Sequence, residues 1–149
     1  MMKPFLDSGF LLTLILKASG SPKAWELIRT MEGPLVLARL QIYNTENRLR
    51  REIEADDSTP AQRAMAAGAL QNFRWYLDQQ VFQSVPLDYE IAIDLAYQWQ
   101  GRSRTTLPAL LLLWPALAIT SGATHFLSFD RRTRQLAQSA GLKLAPGKI

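Results

Sequence analysis

The sequence predicts an α/β fold built as a doubly wound, mostly parallel sheet, and three observations carry that reading. Short apolar runs of strand length alternate with segments of helical spacing along all 149 residues. The stretch from Gly122 to Leu144, GATHFLSFDRRTRQLAQSAGLKL, reads as one strand–turn–helix–strand unit. Two aspartates, Asp7 and Asp130, each close an apolar strand and open a helix. Acids at the carboxyl ends of strands are where open α/β sheets place their chemistry.

The elements follow in order. Pro4-Phe5-Leu6 is a short strand ending at Asp7, and Ser8-Gly9 turns into the apolar helix Phe10–Leu16. Ser21-Pro22 starts a helix, with serine as cap and proline at the first helical place, and Trp25 and Ile28 supply its apolar face. Gly33 stops it, and Pro34–Ala38 reads as a buried parallel strand. Gln41–Ala55 is a charged helix with Ile42, Leu49 and Ile53 on one side and Arg48, Arg50 and Arg51 clustered near its middle. Thr59 and Gln62 form a capping box around Pro60, opening a long helix to about Gln80 that carries Met65, Leu70, Phe73 and Leu77.

Val81–Val85 is the next strand, Pro86-Leu87-Asp88 the turn, and Tyr89–Gln100 another helix. A polar, basic connector over Gly101–Thr106 leads to a core helix, Leu107–Ile119, with Pro108 and Pro115 inside it. A proline there removes one hydrogen bond and clashes with the carbonyl four residues back, so the backbone at Leu111 is expected to bend or the helix to restart. His125–Phe129 is a strand, Arg131–Ala140 a helix with Leu136 and Ala140 on one face, and Gly141 its left-handed stop. Leu142–Leu144 returns as the last strand, at the sheet edge.

Composition bounds the function. The net charge is +4 and cysteine is absent, which rules out a disulfide scaffold and thiolate metal sites and fits a reducing cytoplasm. Arginine outnumbers lysine, and its planar fork suits phosphate, so nucleic acid is a partner to consider. Neither apolar run is a membrane span. Phe10–Leu16 is at the short limit for a signal peptide, with Asp7 before it and Ala18-Ser19-Gly20 as a possible cleavage site, and Leu107–Ile119 is too short and contains two prolines. A P-loop, a Rossmann glycine motif, a nucleophile elbow and a histidine pair for zinc are all missing.

Three segments carry a family resemblance. FLDSGFLLTLIL, PLVLARLQIYNTENRLRR and GATHFLSFDRRTRQLAQSAGL together resemble the PIN domain, in particular the VapC-like toxin ribonucleases of bacterial toxin–antitoxin pairs. The resemblance spans almost the whole chain in the family's order and is most specific in the last segment. It implies a single domain over residues 1–149, a three-layer α/β/α sandwich with a central mostly parallel sheet, a frequent homodimer, an antitoxin partner and an acidic Mg²⁺ or Mn²⁺ site that cuts RNA. Phosphodiester hydrolysis needs an activated water and neutralised phosphate charge, which cations held by converging carboxylates supply.

Two of the family's acidic positions are altered. Aligning Asn47-Arg48-Leu49 with the family's Asn-Ala-Leu puts Asn44 where a glutamate belongs, and Glu46 points to another helix face. The third acid falls at Leu111, and the histidine that often follows it is Trp114. The resemblance therefore leaves Asp7 and Asp130 as metal ligands, with Mg²⁺ or Mn²⁺ held weakly or not at all. Asn44, in place of an acid, and Ser128, on the side of its strand that faces Asp130, complete the candidate catalytic set. Arg48, Arg50, Arg51, Arg131 and Arg132 are the candidate RNA contacts. Trp25, Trp75, Trp99 and Trp114 read as core or dimer residues, and His125 as a surface or edge residue. The two functional readings are a degenerate domain that binds RNA or a partner protein, and an active divalent-metal endoribonuclease. A third reading makes both aspartates plain helix caps on an unrelated fold.

Overall fold

A computed structural model describes residues 2–16, 21–31, 34–102 and 107–148. Along the chain the elements are β1 (Pro4–Leu6), α1 (Ser8–Ile15), α2 (Ser21–Arg29), β2 (Leu35–Ala38), α3 (Arg39–Glu54) and α4 (Pro60–Asp78). They continue as β3 (Phe82–Val85), α5 (Tyr89–Arg102), α6 (Ala109–Thr120), β4 (His125–Leu127), α7 (Arg131–Ser139) and β5 (Lys143–Ala145). The expected stop at Gly33, residues 18–20 and the connector at 103–106 lie outside the described residues.

The chain divides into two compact units. One joins Met1–Asp7 to Pro86–Ile149, and the other is Ser8–Val85. In the first, β1, β4 and β5 form a parallel sheet in the order β1-β4-β5, with Leu6 opposite Leu127 and Leu127 opposite Ala145. The strands bearing Asp7 and Asp130 are thus adjacent and parallel, and both acids leave at the same end. β1 and β4 are short apolar runs with Phe5, Leu6, Phe126 and Leu127 buried, as covered parallel strands require, whereas β5 at the edge begins with the exposed Lys143. Phe5 and Phe126 stack at 6.3 Å with their planes 8° apart, and both are buried. Helix α5 packs on α6, α6 on α7, and α7 on β5. Helix α6 is apolar all round, with Trp114, Leu117 and Ala118 buried. It starts beyond Pro108 and runs from Ala109 to Thr120 without restarting at Leu111, with Pro115 inside the one helix.

In the second unit β2 and β3 pair in parallel, Leu35 opposite Phe82 and Ala38 opposite Val85. Hydrogen bonding therefore groups the strands as three and two. Around this pair Phe10, Leu11, Leu37, Phe73 and Phe82 are fully buried. Trp25 donates its indole N–H to the Leu14 carbonyl at 2.7 Å and packs on Tyr76, whose ring in turn meets Phe82 edge-on. The capping box forms as expected: Gln62 N–H donates to Thr59 Oγ1 at 3.1 Å, and Thr59 N–H donates to Gln62 Oε1 at 2.7 Å. Trp75, expected in a core or a dimer contact, is 56% exposed.

Two starts differ from the sequence reading. Helix α1 begins at Ser8, with no turn between it and Asp7, and α3 begins at Arg39 because Gln41 Oε1 accepts the Ala38 N–H at 2.7 Å. That side-chain bond satisfies a donor at a helix end, where four N–H groups lack intrahelical partners.

Candidate functional site

The carboxyl ends of β1 and β4 assemble a buried polar cluster. Asp7 follows β1 directly, and its N–H donates to the Leu127 carbonyl at 3.0 Å, so the ladder holds its backbone against β4. Its side chain is 3% exposed. One residue past β4, the fully buried Ser128 hydroxyl donates a short hydrogen bond to Asp7 Oδ2. Ser128 Oγ in turn accepts the Asp130 N–H at 3.0 Å and meets Thr133 Oγ1 at 3.2 Å. Strand β4 ends at Leu127, two residues earlier than the sequence suggests, because Ser128 turns its polar atoms into these bonds.

Asp130 is the N-cap of α7. Its Oδ1 accepts the Thr133 N–H at 2.9 Å and lies 3.2 Å from Thr133 Oγ1. A carboxylate here satisfies an orphan amide and faces the positive end of the helix dipole. Its other oxygen stands 4.0 Å from the Arg132 guanidinium, a pair between exposed groups that adds little stability.

Two residues that the sequence reading passed over complete the cluster, Thr133 and Arg134. Arg134 is 5% exposed. Its Nη1 donates to the Ser128 carbonyl at 2.8 Å, while Nη2 donates to the Pro146 carbonyl and reaches the Gly147 carbonyl at 3.3 Å. Burial pushes the guanidinium pKa below its ordinary value, and the negative charge of Asp7 pulls it back up. The inward face of α7 is Thr133, Arg134 and Ala137, whereas Leu136, expected to face inward, is only half-buried. A hint was present in the sequence. Arg134 lies four residues after Asp130 and three before Ala137, the spacing of one helix face.

Asn44 belongs to the Ser8–Val85 unit, where its Nδ2 donates to Ser8 Oγ at 2.7 Å. Arg48, Arg50 and Arg51 are exposed on α3, and Arg131 and Arg132 are exposed at the start of α7. His125 is half-buried, with Nδ1 2.8 Å from Thr124 Oγ1.

The donor chemistry can be tested against magnesium, which asks for a near-octahedral shell of oxygens. Among the described residues no three acidic or histidine side chains converge. Asp7 already accepts the Ser128 hydroxyl and has a buried guanidinium as its counter-charge, while Asp130 spends Oδ1 on its own helix. Two carboxylates, each with one oxygen already in a hydrogen bond, supply few of the oxygens such a shell takes, so they would hold Mg²⁺ or Mn²⁺ only with waters completing it.

No protein-family model matches the sequence, and no curated protein matches it either. Among solved structures, that of Mycobacterium tuberculosis VapC20, a sarcin–ricin loop cleaving toxin, matches with a TM-score of 0.63. The match covers 93% of this chain and 95% of that one at 15% identity, a likeness of fold. The chain thus has a helix-rich α/β fold with parallel strands, similar to that of a VapC toxin.

Proposed function

We propose that residues 1–149 form a single PIN-like domain, related to toxin ribonucleases, that binds RNA with weak or absent catalysis. The observation that carries the reading is the state of Asp7. A nuclease needs that carboxylate for a cation, but here it accepts the Ser128 hydroxyl beside the buried charge of Arg134. At the family's third acidic position Leu111, in α6, offers no donor atom. Five exposed arginines supply charge for a phosphate backbone.

An antitoxin-like protein and a second copy of the chain are further partners that this relation brings. Apolar side chains such as Tyr97 and Leu110 are exposed to receive them. Among the described residues no helix is long and apolar enough to cross a membrane, and we assign the protein to the cytoplasm.

The second reading is an active Mg²⁺- or Mn²⁺-dependent endoribonuclease with a reduced acidic site. It is favoured by the placement of Asp7 and Asp130 beyond adjacent parallel strands at one sheet end. Titration calorimetry with Mn²⁺ on wild type and Asp7→Asn, beside an RNA cleavage assay, separates the two. We expect no metal-dependent heat that distinguishes them at millimolar Mn²⁺, and cleavage at background. Wild-type cleavage that vanishes in a folded Asp7→Asn variant would establish the nuclease.

A further inference from the structure

Helix α3 carries its cations in an arrangement more specific than a charged surface. At 100° per residue, Arg39, Tyr43 and Arg50 fall within about 40° of one another around the helix axis, with Asn47 about 40° further on. Arg51 borders this stripe, whereas Arg48 lies roughly opposite it and lines a shallow groove with Leu12, Leu49, Glu52 and Met65. From Arg39 to Arg50 the stripe is about 16 Å long.

Between Arg39 and Arg51 the exposed side chains are Arg39, Tyr43, Asn47, Arg48, Arg50 and Arg51, and the exposed acid on the same line, Glu54, comes one turn beyond Arg50 at the end of the helix. Glu46, the acid of that stretch, is 28% exposed and turned to Arg74 at 4.0 Å. Tyr43 stands 69% exposed in the middle of the stripe. Among the described residues its ring meets no other aromatic, its hydroxyl has no hydrogen-bond partner, and Arg39 and Arg50 form no ion pair. A flat ring flanked along one helix face by guanidinium groups and an amide fits a single strand, whose bases stack on aromatics while its phosphates meet the cations.

Building on the RNA reading above, we infer that this face of α3 binds single-stranded RNA, with Tyr43 as the stacking platform and Arg39 and Arg50 as phosphate contacts. A duplex hides its base faces and an anionic membrane has none, so neither uses the ring in this way. The partner class is thereby fixed by Tyr43, and the cations set its strength.

Fluorescence anisotropy with a labelled twelve-nucleotide RNA, run beside a duplex of the same sequence and phosphatidylserine vesicles, tests the inference. Tyr43→Ala should weaken single-strand binding about 5- to 100-fold, while Tyr43→Phe stays within about twofold of wild type. Arg39→Ala with Arg50→Ala should lower the salt slope by about 1.4, or about 0.7 per phosphate contact. Single-strand binding by wild type that Tyr43→Ala leaves unchanged overturns the inference and spares the RNA reading. Equal affinity for the duplex, or binding to vesicles alone, also overturns it. So does a drop in sedimentation mass in Tyr43→Ala with RNA affinity intact, which assigns the face to self-association. Wild type that binds no RNA removes both the inference and the reading beneath it.

Discussion

Ser128→Ala tests whether the acidic corner is held by its hydroxyl. The substitution deletes the bond donated to Asp7 Oδ2 and the acceptor of the Asp130 N–H at 3.0 Å. A hydrogen bond to a charged group contributes about 1.5–3 kcal/mol net, and a buried amide left without an acceptor costs about 1–3 kcal/mol. Asp130 is only half-buried, so water recovers part of the second loss. Thr133 Oγ1 keeps its contacts with the Asp130 carbonyl and carboxylate, both at 3.2 Å, and adds nothing to the cost. The sum is about 3 kcal/mol, which lowers the melting temperature by roughly 6–12 °C in a chain of this size. Urea denaturation at pH 7 measures it, with Asp7→Asn and the double variant completing a cycle. Because the hydroxyl acts through a charged partner, Ser128→Ala should cost about 1–2 kcal/mol less in the Asp7→Asn background. A loss under about 0.5 kcal/mol, or strict additivity, would refute the reasoning.

Thr45→Val should stabilise the fold by about 1 kcal/mol in the same assay, since Oγ1 is buried without a hydrogen-bond partner and a methyl group of the same shape avoids its desolvation. His125 gives a pH signature. Burial, then the charge of Lys143, pushes its pKa below the ordinary value, so the unfolded chain takes up this proton more readily than the folded one. Stability is therefore complete above about pH 6.5 and falls as pH drops through that value toward the folded pKa. The urea midpoint of wild type should decline more between pH 7.5 and 5.5 than that of His125→Asn.

What could be read from the sequence was what its signals fix locally. Asp7 after an apolar tripeptide, Asp130 before a helical run, the Thr59–Gln62 box and Gly141 at φ +97° each depend on neighbours a few residues away. The final strand was placed at the sheet edge but one residue early, because Leu142 is buried outside the ladder while Lys143 takes the position opposite His125. Arg134 was not legible as a core residue. A guanidinium on a helix ordinarily reads as solvent-facing, and its carbonyl acceptors at Pro146 and Gly147 arrive only when the chain returns beyond β5. The grouping of strands as three and two was equally hidden, since periodicity marks strands but not their partners. Tyr43 escaped notice for the opposite reason. Its neighbours Ile42 and Leu49 define the buried side of α3, and only the helix's orientation leaves the ring outside.

The pairing of β1 with β4 has a consequence for how the protein is made. Asp7 and Ser128 are separated by 121 positions, and the whole of Ser8–Val85 lies between β1 and the rest of its unit. During synthesis the first strand leaves the ribosome early and waits, unpaired, while most of the chain is still being translated. The inserted unit pairs β2 with β3 inside itself, so its own sheet contacts are complete before the later strands emerge. The acidic corner closes last, after residues 128–134 have emerged, so a prematurely terminated chain contains the arginine-bearing helix α3 but never the corner.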